Sequence, residues 1–332
     1  MQSDPGAPLV TVMIPTFGQA PVLARAVGSA LRQDLESLEV IVADDASPDD
    51  TAEVVARFDD PRLRYHRNPT NLGRVGNYRH TLERLARGKY VLNLDGDDWL
   101  VDPTYLRRAA QLLEEEPDVV MVFANAWRYR QEDGAFFRLS GQNEGLPRVV
   151  SGTDIFLRYP TGEVWIPHLT ALYRRDVALE VGFYREDIIG SDTESLLRLV
   201  LGRKVGFIDT HAAAWRIHGA NATNSIDVEA RVANLACVDG PFEAARASGA
   251  VATPLLERWR AAMYSRLGLE FVRGAVRGGD LGAAWRFMAQ LARKSPRSAL
   301  RVAGAAVAFA LRRGERRRFL PVYTELGEEA LA

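Results

Sequence analysis

The stretch Tyr90-Val-Leu-Asn-Leu-Asp95-Gly-Asp97-Asp98-Trp99 is an apolar run that ends abruptly in three carboxylates within four residues. A short apolar run with this stop reads as a strand buried in a sheet. Carboxylates so close together repel one another unless a cation neutralises them, and a hard divalent metal with oxygen ligands is the obvious candidate. A metal at a strand end usually holds phosphate.

On the N-terminal side of this stretch, short β-branched runs alternate with amphipathic helices, the pattern of βαβ units. Leu9 to Ile14 reads as a strand stopped by Pro15, and Pro21 to Arg32 as a helix with proline in its first turn. Strands are expected at Leu38–Ala43, Arg62–His66 and Lys89–Leu94, and helices at Asp49–Arg57 and Val75–Ala86. On the C-terminal side, Asp102-Pro103 reads as an N-cap and a helix-starting proline, with the helix running to Glu116 and a strand at Asp118–Phe123. The pattern loosens from Trp127 to Pro147 into a hairpin or loop. A helix is expected from Ser151 to Arg158, strands at His168–Tyr173 and Lys204–Ile208, and a helix at Asp192–Leu201. From Asp227 the composition shifts to Ala, Arg and Leu at helical spacing, which places a boundary between residues 1–226 and 227–332. The fold class is α/β: a doubly wound, mixed but mainly parallel sheet with helices on both faces, plus an α-helical C-terminal region. In such sheets ligands sit outside the carboxyl ends of the strands, where Thr16-Phe17-Gly18, Asp44-Asp45 and Asp95 to Asp98 fall.

Composition narrows the function. With 332 residues, 47% hydrophobic and 26% charged, the chain is that of an ordinary globular protein. Its 43 acids against 42 bases argue against a nucleic-acid binder working through overall charge. One cysteine, Cys237, excludes an intramolecular disulfide framework and a cysteine-rich zinc site, and fits a reducing compartment. Met1-Gln-Ser-Asp-Pro-Gly has neither a basic nor an apolar leader region, and no apolar run approaches the ~20 residues needed to span a bilayer. The chain is therefore expected in the cytoplasm, free or resting on the inner face of the plasma membrane.

Side by side, the polar clusters resemble the family 2 glycosyltransferases of the GT-A fold. The resemblance is carried by Val10-Thr-Val-Met-Ile-Pro15-Thr16-Phe17, Val40-Ile-Val-Ala-Asp44-Asp45-Ala-Ser47, Asn71-Leu-Gly73, the Gly88 to Asp98 segment, and Ser191-Asp192-Thr-Glu194 followed by Leu196-Leu-Arg198-Leu. It covers the first two-thirds of the chain, in the family's order. A lone Asp-x-Asp is nearly worthless; five ordered pieces are not.

The resemblance implies a donor that is a nucleotide-diphosphate sugar, with UDP favoured, and a glycan or lipid-linked saccharide acceptor in polysaccharide or cell-surface glycan biosynthesis. It implies that Asp45 accepts a hydrogen bond from the base, with Pro15, Thr16 and Phe17 lining the same pocket; Asp44 and Asp45 could equally cap the next helix. Asp95, Asp97 and Asp98 are assigned to ribose and to Mn2+ or Mg2+, which neutralises a diphosphate leaving group without proton transfer. Arg74 and Arg79 flank a segment expected near the nucleotide, or else lie on a solvated helix face. Asp192 is the expected general base, since inverting transfer needs a carboxylate to take the acceptor's proton; its other role would be a helix N-cap. Ser191 stands where the family usually has Glu. His218 either completes the metal shell or leaves Arg216 to meet phosphate oxygens. Trp165, His168 and Trp127 either line the acceptor pocket or belong to the core.

Three rival readings compete with this one. A sugar-phosphate nucleotidyltransferase wants a Gly-rich loop with Arg and Lys after the first strand, and a dehydrogenase wants G-x-G-x-x-G there; Pro15-Thr-Phe-Gly-Gln is neither. A non-catalytic relative that binds nucleotide or glycan has no chemical reason to keep both the metal acids and Asp192. The segment from Ser298 to Arg318 joins an apolar helix to an arginine cluster, which suits either an anionic bilayer surface or burial against the preceding helices.

Overall fold

The computed structural model describes residues 7–138, 141–219, 221 and 227–311. In chain order the elements are β1 (Val10–Thr16), α1 (Ala20–Leu31), β2 (Leu38–Asp44), α2 (Thr51–Val55), β3 (Leu63–Arg67), α3 (Arg74–His80), β4 (Tyr90–Asn93), β5 (Trp99–Leu100), α4 (Tyr105–Glu115), β6 (Val119–Arg130), β7 (Ala135–Phe137), β8 (Val149–Ser151) and α5 (Gly152–Arg158). They continue with β9 (Leu172–Arg174), α6 (Arg175–Glu180), α7 (Ser191–Val200), β10 (Lys204–Ile217), α8 (Val228–Ala233), α9 (Ala236–Ser248), α10 (Thr253–Arg277), α11 (Leu281–Lys294) and α12 (Pro296–Leu311).

The strands form one mixed sheet in the order β3-β2-β1-β4-β9-β6-β10-β5, with β7 on β6 and β8 on β10. The half containing β3, β2, β1 and β4 is parallel, as the βαβ pattern requires. Antiparallel β9 then joins β4 to β6, and β6 runs parallel to β10. Every residue of β1 and β2 is buried, because helices cover both faces. Alternate side chains of β1 enter different cores: Val10, Val12 and Ile14 pack with α1 and α4, whereas Met13 packs with Val75, Tyr78 and Leu82 on the other face.

Four segments depart from expectation. His168–Thr170 is a turn of 3-10 helix, not strand; the Thr170 hydroxyl bonds the carbonyls of Ala124 (2.8 Å) and Pro167 (3.1 Å), a local alternative to a sheet ladder. The Lys204 strand continues to Ile217, past register shifts between Ile208 and Ala213 that interrupt its apolar period. The Val119 strand likewise runs to Arg130 and turns back as the β6–β7 hairpin. Finally, α4 begins at Tyr105 rather than at Pro103, since the Asp102 carboxylate takes the Thr104 N–H (2.9 Å) and hydroxyl (2.7 Å) outside the helix.

The helices from Val228 onward share one apolar core with Phe156, Tyr159, Leu197 and Leu201. Trp259 stacks on Phe156 at 4.1 Å between ring centroids, and its indole N–H donates to the Phe156 carbonyl. At the start of α5, Gly152 is a close-approach glycine: a Cβ there would lie 1.9 Å from the Val200 carbonyl oxygen, a backbone atom that cannot turn aside. Gly152→Ala is expected to destabilise the protein by about 1–3 kcal/mol, read from the urea midpoint. Of the tail segment named above, the arginines from Arg312 to Arg318 lie outside the described residues.

Candidate active site

The carboxyl ends of β1, β2 and β4 open into a cavity of about 760 Å³. The backbone delivers the acids there by a tight turn. The Asp98 N–H donates to the Asp95 carbonyl (2.9 Å) and the Gly96 N–H to Pro15 (3.3 Å), laying the acidic turn against the end of β1. Gly96 suits this approach, because a Cβ would meet Thr16 Oγ1 at 2.9 Å and displace the end of the Gln19 side chain, 2.6 Å away. Asp95 accepts from the Tyr78 hydroxyl (2.7 Å) and Asn93 Nδ2 (2.9 Å). Asp98 accepts the backbone N–H of Arg216 (2.8 Å), and Asp97 Oδ2 meets His218 Nε2 at 2.8 Å. Antiparallel pairing of β5 with β10 creates these last contacts by bringing residues 213–218 alongside the turn.

Burial raises the Asp98 carboxyl well above the ordinary carboxylate range, and repulsion from Asp97 and Asp95 pushes it the same way. Asp95 is also raised, chiefly by burial. Asn93 adds a buried carbonyl oxygen, Oδ1, at the cavity wall, with no hydrogen-bond partner among the described residues. Oxygen acceptors, surplus negative charge and one imidazole are the donor set of a hard divalent cation. Among the described residues no group of three or more His, Cys, Asp or Glu is gathered as a complete shell. The residues therefore suit an ion shared with a ligand's own oxygens, not an all-protein cage.

At the β2 end, Asp44 and Asp45 divide the labour. Asp44 is structural: it accepts from the Ser47 N–H (2.8 Å), the Tyr65 hydroxyl (2.6 Å) and Arg67 (2.8 Å). Asp45 lines the cavity, with Oδ1 held by Asn68 Nδ2 and the Leu72 N–H, each at 2.8 Å. Asn77 orders this corner by accepting from Asn68 (3.0 Å) and donating to the Ala43 carbonyl (2.8 Å). Pro15, Thr16 and Phe17 form the adjoining wall, where the Phe17 ring is 51% exposed. Arg74 also lines the cavity, but its guanidinium donates to the carbonyls of Ile188 (2.8 Å) and Ile189 (2.9 Å).

Across the cavity, Asp192 sits in the first turn of α7. Gly190 is the N-cap residue, so Asp192 does not serve as the cap. Tyr159 and Thr193 flank it, their hydroxyls 3.4 Å apart. Trp165 and His168 line the same wall. Trp165 carries the Arg128 guanidinium 4.2 Å above its ring, and His168 Nε2 meets the Tyr184 hydroxyl at 2.7 Å. Two of the expected residues stand apart. Arg79 and Arg216 are not among the residues lining the cavity. Arg79 donates to the Tyr184 carbonyl (3.4 Å), and Arg216 donates to the Asp97 carbonyl (3.0 Å) while its guanidinium lies over Trp99 (5.6 Å). Both are drawn off by carbonyls or rings nearer than the open cavity. Trp127 belongs to the core, stacked on His211 at 4.0 Å, and burial takes that imidazole down to about 4.

Sequence reasoning missed the far wall, which comes from the C-terminal helices: Arg231, Asn234, Met263, Arg266 and Glu270. It also missed Tyr78, which reads as an ordinary helix-face residue.

Residues 11–182 match the family model described as glycosyl transferase family 2. An uncharacterized protein of Mycobacterium tuberculosis is 33% identical over 235 residues, 67% of this chain and 72% of that protein. The GalNAc(5)-diNAcBac-PP-undecaprenol beta-1,3-glucosyltransferase of Campylobacter jejuni is 40% identical over 97 residues, 28% of this chain and 31% of that enzyme. The chain thus spans less than a third of the length of the Campylobacter enzyme. Among solved structures, S. aureus TarS 1-349 in complex with UDP-GlcNAc superposes with a TM-score of 0.67 at 16% identity, covering 97% of this chain and 98% of that one. The mannosyltransferase PcManGT from Pyrobaculum calidifontis, in complex with GDP-Man and Mn2+, gives 0.55 at 19% identity over 94% and 88%. At these identities the superpositions establish the GT-A fold.

Proposed function

The chain belongs to glycosyl transferase family 2, and from that premise we propose that it is a metal-dependent inverting transferase. In this reading it moves one sugar from a nucleotide-diphosphate donor, UDP-linked, to a hydroxyl of a glycan or lipid-linked saccharide in cell-surface polysaccharide assembly. One observation carries the proposal: Asp45, the Asp95–Asp98 turn, His218 and Asp192 all line a single cavity at the carboxyl ends of the parallel strands. The nucleotide-sugar donors of the TarS and PcManGT complexes and the lipid-linked acceptor in the Campylobacter enzyme's name support it.

Asp97, Asp98 and His218 would hold Mn2+ or Mg2+. The ion would supply charge neutralisation for the departing diphosphate. The protein's own groups do the rest. Asp45 has Oδ1 engaged by Asn68 and Leu72, and its second oxygen accepts the imide N–H of a uracil. The exposed Phe17 ring and Thr16 flank that base. Asp95, fixed by Tyr78 and Asn93, faces the ribose. Asp192 accepts the proton of the acceptor hydroxyl as that oxygen attacks the anomeric carbon from the face opposite the diphosphate. Trp165 offers a flat apolar face to the acceptor's sugar ring.

The test is thermal unfolding across nucleoside diphosphates, each with and without Mn2+. UDP with Mn2+ is expected to raise the melting temperature, corresponding to about 2.7 kcal/mol at a hundredfold excess over Kd. The rise should vanish in Asp97→Ala/Asp98→Ala. No stabilisation by any nucleotide on folded protein would sink the donor assignment and favour a non-catalytic relative.

A further inference from the structure

The last two described helices each carry an apolar face that no other described residue covers. On α11, Ala283, Ala284, Phe287 and Leu291 are buried, yet Leu281 and Trp285, one turn apart on another face, are 66% and 72% exposed. On α12, Ala299 and Val302 are buried, whereas Leu300 and Val307 are 74% and 59% exposed. Ala303 and Gly304 between them are exposed as well. Positions 300, 303, 304 and 307 follow the i, i+3, i+4, i+7 spacing of one helical stripe. A helix on the rim of a globular protein ordinarily gives that second stripe to charged residues, so two apolar stripes on consecutive helices call for an occupant.

Charge identifies the occupant. From Leu281 to Val307 there is no Asp or Glu, while Arg286, Arg293, Lys294, Arg297 and Arg301 supply five cations, all exposed, in a chain whose net charge is −1. Lys294 pairs with Asp239 of α9. A second copy of the chain would set five cations against five, which opposes self-association through this face. Exposed apolar side chains with a tryptophan among them, flanked by arginines, match the interface of an anionic bilayer. No helix among the described residues is long and apolar enough to cross a membrane, so the contact is a surface one.

We propose that the α11–α12 face docks the protein on an anionic lipid bilayer. Leu281, Trp285, Leu300 and Val307 enter the boundary between headgroups and acyl chains, and Arg293, Arg297 and Arg301 meet lipid phosphates. The proposal is independent of the sugar chemistry at the cavity and stands or falls without it.

The experiment is co-sedimentation of the full chain with vesicles of phosphatidylcholine alone and of phosphatidylcholine mixed with phosphatidylglycerol. Binding to the anionic vesicles is expected to exceed that to neutral ones by about tenfold or more and to weaken with salt. Arg293→Glu/Arg297→Glu/Arg301→Glu should lower it by about a hundredfold, and Trp285→Ser/Leu300→Ser by about tenfold or more. All five positions are exposed, and both variants should melt at the wild-type temperature. Equal binding to the two vesicle types, or none to either, overturns the proposal. So does a dimer in sedimentation velocity that Trp285→Ser/Leu300→Ser dissociates, since a second copy would then be the occupant.

Discussion

Replacing Asp192 with asparagine is expected to lower turnover by about 10²–10⁴-fold, the usual worth of a general base, while leaving nucleotide binding intact. The substitution keeps size and shape and removes only the ability to accept a proton. Because Gly190 caps α7, losing the charge at residue 192 removes no cap hydrogen bond. The measurement is release of nucleoside diphosphate from the donor, run beside the Mn2+-dependent thermal shift on the same preparation. Slow turnover with an unchanged shift supports Asp192 as base. Turnover within a few-fold of wild type would transfer the role to another group.

Glu194→Ala is expected to cost about 3–5 kcal/mol of stability, the largest structural effect of any single substitution considered for this chain. The Glu194 side chain is fully buried, and Oε1 and Oε2 accept from Arg198 at 2.6 and 2.8 Å. Arg198 is itself buried and donates onward to the Val181 and Gly182 carbonyls, and Arg185 reaches Glu194 at 3.1 Å. Removing the carboxylate leaves a guanidinium out of water with only carbonyls for company. Glu194→Leu/Arg198→Met should recover most of the loss, since an apolar pair of similar volume carries no desolvation penalty. Urea unfolding measures both. A single-variant loss below about 1 kcal/mol would mean that water reaches Arg198.

The cavity wall at the ends of β1, β2 and β4 was legible because its signals are local. An apolar strand that stops at an acid is visible in ten residues, and Asp45 and Asp95 repeat that pattern at the ends of β2 and β4, on either side of β1. The far wall was not, because it is assembled from residues far apart in sequence. Arg231, Arg266 and Glu270 fall at helical spacing in a region rich in Ala, Arg and Leu, where a charged residue is ordinarily a solvated one. Packing of α10 against Phe156 and Tyr159 places Arg266 and Glu270 at the cavity, and Arg231 reaches it from α8. Arg79, expected near the nucleotide, and Arg216, expected at phosphate, stand off the cavity wall for a related reason. Spacing gives distance along the chain, whereas the carbonyls that occupy Arg79 and Arg216 and the rings beneath Arg216 come from segments about 90 to 120 residues away. His168 was placed on a strand because Leu169 to Tyr173 is apolar, and the Thr170 hydroxyl, which favours the 3-10 turn, leaves no trace in hydropathy.

Arg74 lines the cavity, and its guanidinium donates to two carbonyls in the turn before α7. An anion that recruits this guanidinium must compete with the Ile188 and Ile189 carbonyls, and on winning it unlatches the segment leading to Asp192. Donor occupancy and the freedom of that segment are then two ends of one thermodynamic square. Whatever factor the anion applies to the latch, the latch applies to the anion's affinity.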